Sequence, residues 1–539
     1  MRFAVRSIAL AILLFGLMVA PASAGEATKN STQPGDIVDK LEAPAACADC
    51  HASVYKDWSG SMMGNDFYDP SFLAALSIAE QDAPGVGDYC LRCHAVGWFE
   101  GKSETPGGDT LGKSFLPAPA VDRESVPVCD LCHRLERVGL RKSRVDGAEI
   151  AEGNGSVYFS VKDPWKGGKH PLKPLHKTSE LCGSCHDVSN PLLASGNDSS
   201  MRQPLERTYT EWKFSFFGET GFRCQQCHPP MKFPGAQTWL LYPGMSSLYG
   251  DVDAWWAKAG FKVTPSRAFA LRAARERNEQ LMRQAADVEI LEPPELRLGN
   301  DFEVRVRVTN RTGHKLPTGF AEGRQLWLHL RVTDADGKLV FEDGRLDESG
   351  ALVRTDQTKV YEQKAAVEGK KSFHFAKLDE ILKDNRIPAR GFDKEAYEKE
   401  GAFIIGADYE DGQNWDVTPF IFNVPPDVRG PLTIKARLKY ETYSKEYMDW
   451  LRATDKTKTA NAGGPAAAAP DGSDTWGEVT YKLWKKYGRG RPTVIAGADR
   501  VVKAAASATT WNDVFLILLV GLGAAGLAGR VLRAVRPTD

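Results

Sequence analysis

Read for the spacing of apolar and polar positions, the 539-residue chain divides into stretches of different period. At the start, Arg2 and Arg6 precede an apolar run from Ile8 to Ala20, closed by Pro21 and the small residues Ala22-Ser23-Ala24. This is the pattern of a signal peptide over 1–24, followed by a linker over 25–45. The run is shorter than the roughly 20 residues a spanning helix needs. From 46 to 262 Gly and Pro are frequent and no clean period is sustained. Thr264-Pro265 then reads as an N-cap and first-turn pair, predicting a connecting helix over 263–286 with Leu271, Ala274, Leu281 and Ala285 on one face.

After Glu292-Pro293-Pro294 the period falls to two. Phe302, Val304, Val306 and Val308 alternate with polar residues, as do Leu326, Leu328, Leu330 and Val332, and again Leu432, Ile434, Ala436, Leu438 and Tyr440. With Asp334-Ala335-Asp336-Gly337 as a hairpin turn, these runs predict a mainly antiparallel β-sandwich domain over 287–445. Residues 446–510 read as an extended segment and, through the Ala/Gly/Pro-rich part between Thr454 and Asp474, a flexible tether. A second apolar run, Val514 to Gly529, extends to Leu532 with Trp511 at its outer edge and Arg530, Arg533 and Arg536 after it. It predicts a transmembrane helix over 511–532 and a cytoplasmic tail over 533–539; a buried core helix or a cleaved sorting tail are the competing readings. Gly521, Ala525 and Gly529 form a stripe of small residues that lets another membrane helix approach, in a membrane redox complex or a homodimer.

Composition adds limits. At 42% hydrophobic and 26% charged the chain is globular, and long enough for two or three domains. With 69 Lys and Arg against 70 Asp and Glu, no basic surplus points to a nucleic-acid partner.

The ten cysteines change the picture most. They fall in the pairs Cys47/Cys50, Cys90/Cys93, Cys129/Cys132, Cys182/Cys185 and Cys224/Cys227, and each pair is followed by a histidine: His51, His94, His133, His186 and His228. Two thiols three residues apart can each add across one vinyl group of a single porphyrin, and the adjacent imidazole then reaches the iron. Zinc ribbons use such pairs two at a time and give no reason for a histidine after every one. The pattern therefore predicts five covalently attached haem c groups. Residues 46–262 then form a pentahaem domain, mostly α and irregular, whose core is porphyrin.

The occupant of each iron's sixth position decides between electron transfer and ligand chemistry. Outside the motifs the candidates are His170, His176, His314, His374 and Met63, with Met62 as a weaker one. His176 lies in a turn-rich stretch before Cys182, and His314 lies in a Gly- and Pro-bounded loop between strands, placed to project from the β domain. His374 is flanked by Phe373 and Phe375, whereas His329 reads as a polar residue on a strand's outer face.

The segments CADCHASVYKDWSGSMMGNDFYDPSF, YCLRCHAVGWFEG, VCDLCHR, HKTSELCGSCHDVSNP, EWKFSFFGETGFRCQQCH, TGHKLPTGFAEGRQLW and KDNRIPARGF resemble the multihaem cytochromes c of the cytochrome c554-like group. The resemblance runs through most of the mature chain and implies closely stacked, electron-conducting haems. In that group the Ser-Met pair after the first motif is often followed by a distal histidine; here Met63 stands in that place. The group contains both carriers and enzymes. The leading expectation is a membrane-anchored relay on the periplasmic side of the bacterial inner membrane, exchanging electrons with redox protein partners. The alternatives are an oxidoreductase acting on a small nitrogen or sulfur compound at a five-coordinate haem, and an assembly module built on the β domain.

Overall fold

In a computed structural model of the chain, the described residues are 44–59, 61, 63–64, 69–84, 86–94, 129, 133, 135–145, 148–159, 174–190, 204–228, 231–232, 236–237, 279–293, 296–458, 474–486, 489 and 491–503. The signal peptide, the linker up to residue 43, the transmembrane helix over 511–532 and the tail over 533–539 lie outside them. Among the described residues no helix is long and apolar enough to cross a membrane.

The three alternating runs form strands, and their apolar sets face one core. Phe302, Val304, Val306 and Val308 of strand Asp301–Asn310 are buried together with Leu326, Leu328, Leu330 and Val332 of Gln325–Thr333 and with Leu432, Ile434, Ala436 and Leu438 of Leu432–Glu441. The strands belong to two antiparallel sheets. One orders Leu339–Asp343, Gln325–Thr333, Leu432–Glu441 and Thr493–Val502, with Val360–Tyr361 also on Gln325–Thr333; the other orders Trp415–Asn423, Asp301–Asn310 and Ala286–Ile290. Because side chains alternate across a strand, each sheet turns one apolar face to the other.

Two parts differ from the sequence reading. The expected extended segment over 446–510 contains the helix Trp476–Lys486 and the strand Thr493–Val502, which pairs along Leu432–Glu441 from Leu432↔Val502 to Tyr440↔Thr493. Only Ile495 of that strand is buried; beyond it exposed residues alternate with partly buried ones, a weaker contrast than the buried faces that mark the other three runs. Residues 459–473, the centre of the expected tether, lie outside the described residues. The pentahaem region also carries an antiparallel hairpin, Leu135–Val145 with Ala148–Phe159, closing at Val145↔Ala148. Asp146-Gly147 between them is a strong two-residue hairpin signal that the emphasis on irregular structure passed over.

Helices tie the motif region to the sandwich. Helix Pro70–Asp82 starts on Asp69, whose carboxylate accepts from the Ser71 amide, with Pro70 in the first turn where its missing N–H costs nothing. Ser71 shares a 2.5 Å hydrogen bond with Tyr443, and Ser77 donates to Asp455 at 2.9 Å. Helix Trp476–Lys486 crosses Lys445–Thr454 so closely that a Cβ on Gly477 would lie 2.3 Å from the Leu451 carbonyl oxygen.

A second tie is ionic. Glu211, on helix Thr208–Lys213, lies 3.0 Å from Arg386; Arg386 bonds Asp384 at 2.6 Å, and Asp384 bonds Lys315 at 2.8 Å. All four side chains are almost fully buried. Two cations and two anions alternate, so each is paired and the desolvation cost is offset within the cluster.

Nearby Glu322 is also buried and accepts from Gln363 at 2.7 Å, while its second oxygen has no hydrogen-bond partner. Burial pushes its pKa up to about 7 from 4.5. The folded protein therefore holds this proton more tightly than the unfolded chain, and stability falls as pH rises from 4.5 to about 7. Glu322→Gln is expected to remove a decline on the order of 3 kcal/mol over that window, read as a flatter Tm against pH in thermal melts.

Candidate haem sites

The motifs share a local fold that suits their chemistry. In the fourth, Cys182 opens a turn in which the His186 amide donates to the Cys182 carbonyl at 2.9 Å; in the fifth, the His228 amide donates to the Cys224 carbonyl at 2.7 Å. A single helical turn puts residues i and i+3 on one side, so both thiols of each pair face the same way. The first motif lies in helix Pro44–Ser59, which breaks its helical dihedrals at His51 (φ −121°, ψ 43°). The second closes helix Gly87–His94, where Phe72 stacks on the His94 ring at 4.0 Å and 11°. Of the third, Cys129 and His133 are described and Cys132 lies outside.

In the first motif Cys50 is exposed, as are its neighbours Asp49, His51, Ala52 and Ser53; Cys47, one turn earlier, is half-buried. Helix Pro44–Ser59 buries its last turn, Asp57, Trp58 and Ser59. Cys227 of motif five is exposed as well, whereas Cys90, Cys93, Cys129, Cys182, Cys185 and Cys224 are half-buried.

Two motif histidines face a histidine from outside the motifs. The rings of His133 and His176 have centres 5.9 Å apart and planes 32° apart. Those of His228 and His314 are 6.3 Å and 21° apart. An imidazole nitrogen lies roughly 1.1 Å from its ring centre and bonds a first-row metal such as zinc at about 2.0 Å, so two imidazoles on opposite sides of one ion have centres about 6 Å apart. Both gaps fit one metal ion. Among the described residues no three His, Cys, Asp or Glu converge on a common point; these imidazoles meet in twos.

The other nitrogen of His314 is accounted for. Nδ1 lies 3.0 Å from the Lys315 carbonyl and 3.3 Å from Thr312 Oγ1. A carbonyl only accepts, so Nδ1 carries the proton and Nε2 keeps its lone pair, as a metal-binding imidazole requires. Burial, the largest influence, holds the ring's pKa below its usual value and so keeps it neutral. His186 is set the same way by a carboxylate: its Nδ1 is 3.0 Å from Glu206, which also accepts from Thr208 at 3.1 Å. Burial would raise the Glu206 pKa, but the hydrogen bond and charge of His186 outweigh it and hold the carboxyl below the usual range.

The thiols place three motifs side by side. Cys185 is within hydrogen-bonding reach of Cys93, and Cys224 within reach of Cys182. Motif four therefore lies between motifs two and five. Motif five also leans on the His176 segment: Arg223 donates to the Lys177 carbonyl at 2.8 Å and Gln225 to the Thr178 carbonyl at 2.6 Å. A Cβ on Gly183, inside motif four, would lie 2.7 Å from the Tyr209 ring, so this spacer position is closed to larger residues.

His176 and His314 are thus brought to motif histidines. His374 is brought to helix Pro70–Asp82 instead, with Nε2 3.1 Å from Asp82 and its ring edge-on to Trp450. Met63 sits half-buried in the turn after Ser59, and His170 lies outside the described residues.

No protein-family model and no curated relative matches the chain. Among solved structures, a penta-heme cytochrome c552 from Thermochromatium tepidum is weakly similar, with a TM-score of 0.46 and 15% identity over 86% of this chain and 100% of that one.

Sequence reasoning passed over Glu206 and Glu211. Glu206 lies 20 residues after His186, and Glu211 lies 104 residues before Lys315, whose amide it receives. No short-range pattern connects either to its histidine. A carboxylate on the ligand's far nitrogen raises its basicity and favours the oxidised metal. Glu206→Gln is therefore expected to raise one midpoint potential in a redox titration and leave the others in place.

Proposed function

We propose that the protein is a pentahaem c-type cytochrome that relays electrons. Residues 511–532 anchor it at the periplasmic face of the bacterial inner membrane, between a membrane redox complex and another carrier. The observation that carries this reading is that two motif histidines each lie beside a histidine from outside the motifs, His133 with His176 and His228 with His314, at ring-centre separations of 5.9 and 6.3 Å. Haem c bound there supplies one-electron oxidation and reduction at iron. At these two sites the paired histidines would each offer an imidazole nitrogen to the iron, leaving no place there for a substrate. That arrangement favours transfer over ligand chemistry.

The packing supports conduction. Motifs two, four and five adjoin one another, and motif five lies against the segment whose His176 meets His133 of motif three, so these four attachment sites are contiguous. Glu206 and the Lys315 carbonyl fix the protons of His186 and His314 on Nδ1. Fixed ligands and tautomers keep reorganisation small as charge moves.

The purified protein is expected to exceed its polypeptide mass by five haems and to show low-spin haem at motifs three and five. His314→Ala should convert one haem to a high-spin form that binds CO when reduced. A mass equal to the polypeptide alone, or a His314→Ala protein with an unchanged spectrum, would overturn the reading.

A further inference from the structure

His314 is delivered to motif five by a different part of the fold from the one that carries His228, so something must hold the two parts in register. The contacts around Lys315 single out one side chain. The Lys315 carbonyl accepts from His314 Nδ1 at 3.0 Å, and the Lys315 amide donates to Glu211 Oε2 at 3.0 Å. The same oxygen accepts from Thr318 Oγ1 at 2.8 Å, while Glu211 Oε1 faces Arg386 at 3.0 Å. Glu211 itself is fully buried on helix Thr208–Lys213, which follows motif four and precedes motif five in the chain. On the β side, Asn310 Nδ2 donates to the His314 carbonyl at 2.7 Å and to the Ile387 carbonyl at 3.0 Å, fixing the loop to its own domain.

We propose that Glu211 is the positioning residue for the His314 ligand: its carboxylate clamps both ends of the Lys315–Thr318 loop and thereby holds the imidazole over the motif-five haem. This deepens the electron-relay reading and rests on it. The chemistry explains why a carboxylate is needed. Oε2 accepts from an amide and a hydroxyl, charge-assisted bonds about twice as strong as neutral ones, while Oε1 faces the Arg386 guanidinium as an ion pair without a hydrogen bond. Glutamine keeps the shape but presents one acceptor and one donor, so it can satisfy either the Lys315–Thr318 side or Arg386, and not both.

The test uses the full-length, haem-loaded protein and CO binding after reduction. Glu211→Gln is expected to open one of the five haems to CO, with added imidazole restoring the low-spin spectrum, because the attachment site is intact and only ligand delivery is lost. Glu211→Asp, which keeps the charge on a shorter arm, should bind CO at less than that level. Should Glu211→Gln fail to accumulate, Thr318→Val decides, since it removes a single hydroxyl contact: faster CO binding than the parent supports the proposal. Five haems as inert to CO as the parent's, in Glu211→Gln or in its substitute, overturn it. His314→Ala separates the layers. If it binds CO while Glu211→Gln does not, the positioning role alone falls; if His314→Ala is itself inert, the ligand reading falls and takes the proposal with it.

Discussion

Two imidazoles can share a metal ion only if the backbone holds their rings opposed at a separation with little tolerance, and in this chain one such pair is supplied by segments 86 residues apart, His228 and His314. Neither ring could keep that position alone. His228 closes a single helical turn at the edge of the motif region, and His314 sits in a loop of the sandwich. The sandwich is thus more than an appendage. Its packed sheets fix the loop, the loop fixes the ring, and the ring would complete the site proposed at motif five.

Such a site needs a rigid seam, and the seam here is built from charge. Glu211, Arg386, Asp384 and Lys315 alternate in sign and are almost wholly buried. A cluster of this sort adds little net stability over an apolar contact, but it tolerates only one arrangement, because every displaced partner leaves a buried charge unpaired. Apolar ties elsewhere along the seam, Ala376 with Ala79 and Val86 and Leu378 with Leu205, add area without specifying register so closely. Hence the arrangement combines cohesion from apolar packing with geometric definition from the ions, and definition is what a metal ligand demands.

How much of this the sequence disclosed depends on range. The attachment motif is local, five residues each time, and is legible without the fold. The strands carrying Val304, Leu328 and Ile434 were legible because burial on one face imposes a period of two. Thr493–Val502 was not, since only Ile495 of its ten residues is buried and its alternation is between exposed and partly buried positions. His176 and His314 could be named as ligands from their loop contexts, but which motif each would meet depends on contacts the chain makes only once folded. His374 shows the same limit from the other side: its aromatic neighbours suggested a porphyrin, and folding brought its Nε2 to Asp82. Glu206 and Glu211 left no signal at all, because a buried carboxylate that acts through another residue looks like any acidic residue until its partners are in place.

The most direct test of the central claim is an anomalous difference map at the iron edge from crystals of the haem-loaded protein. The account predicts iron peaks midway between the rings of His228 and His314 and between those of His133 and His176. Iron bound at the motif histidines with either partner ring turned away, or no iron in those gaps, would contradict it.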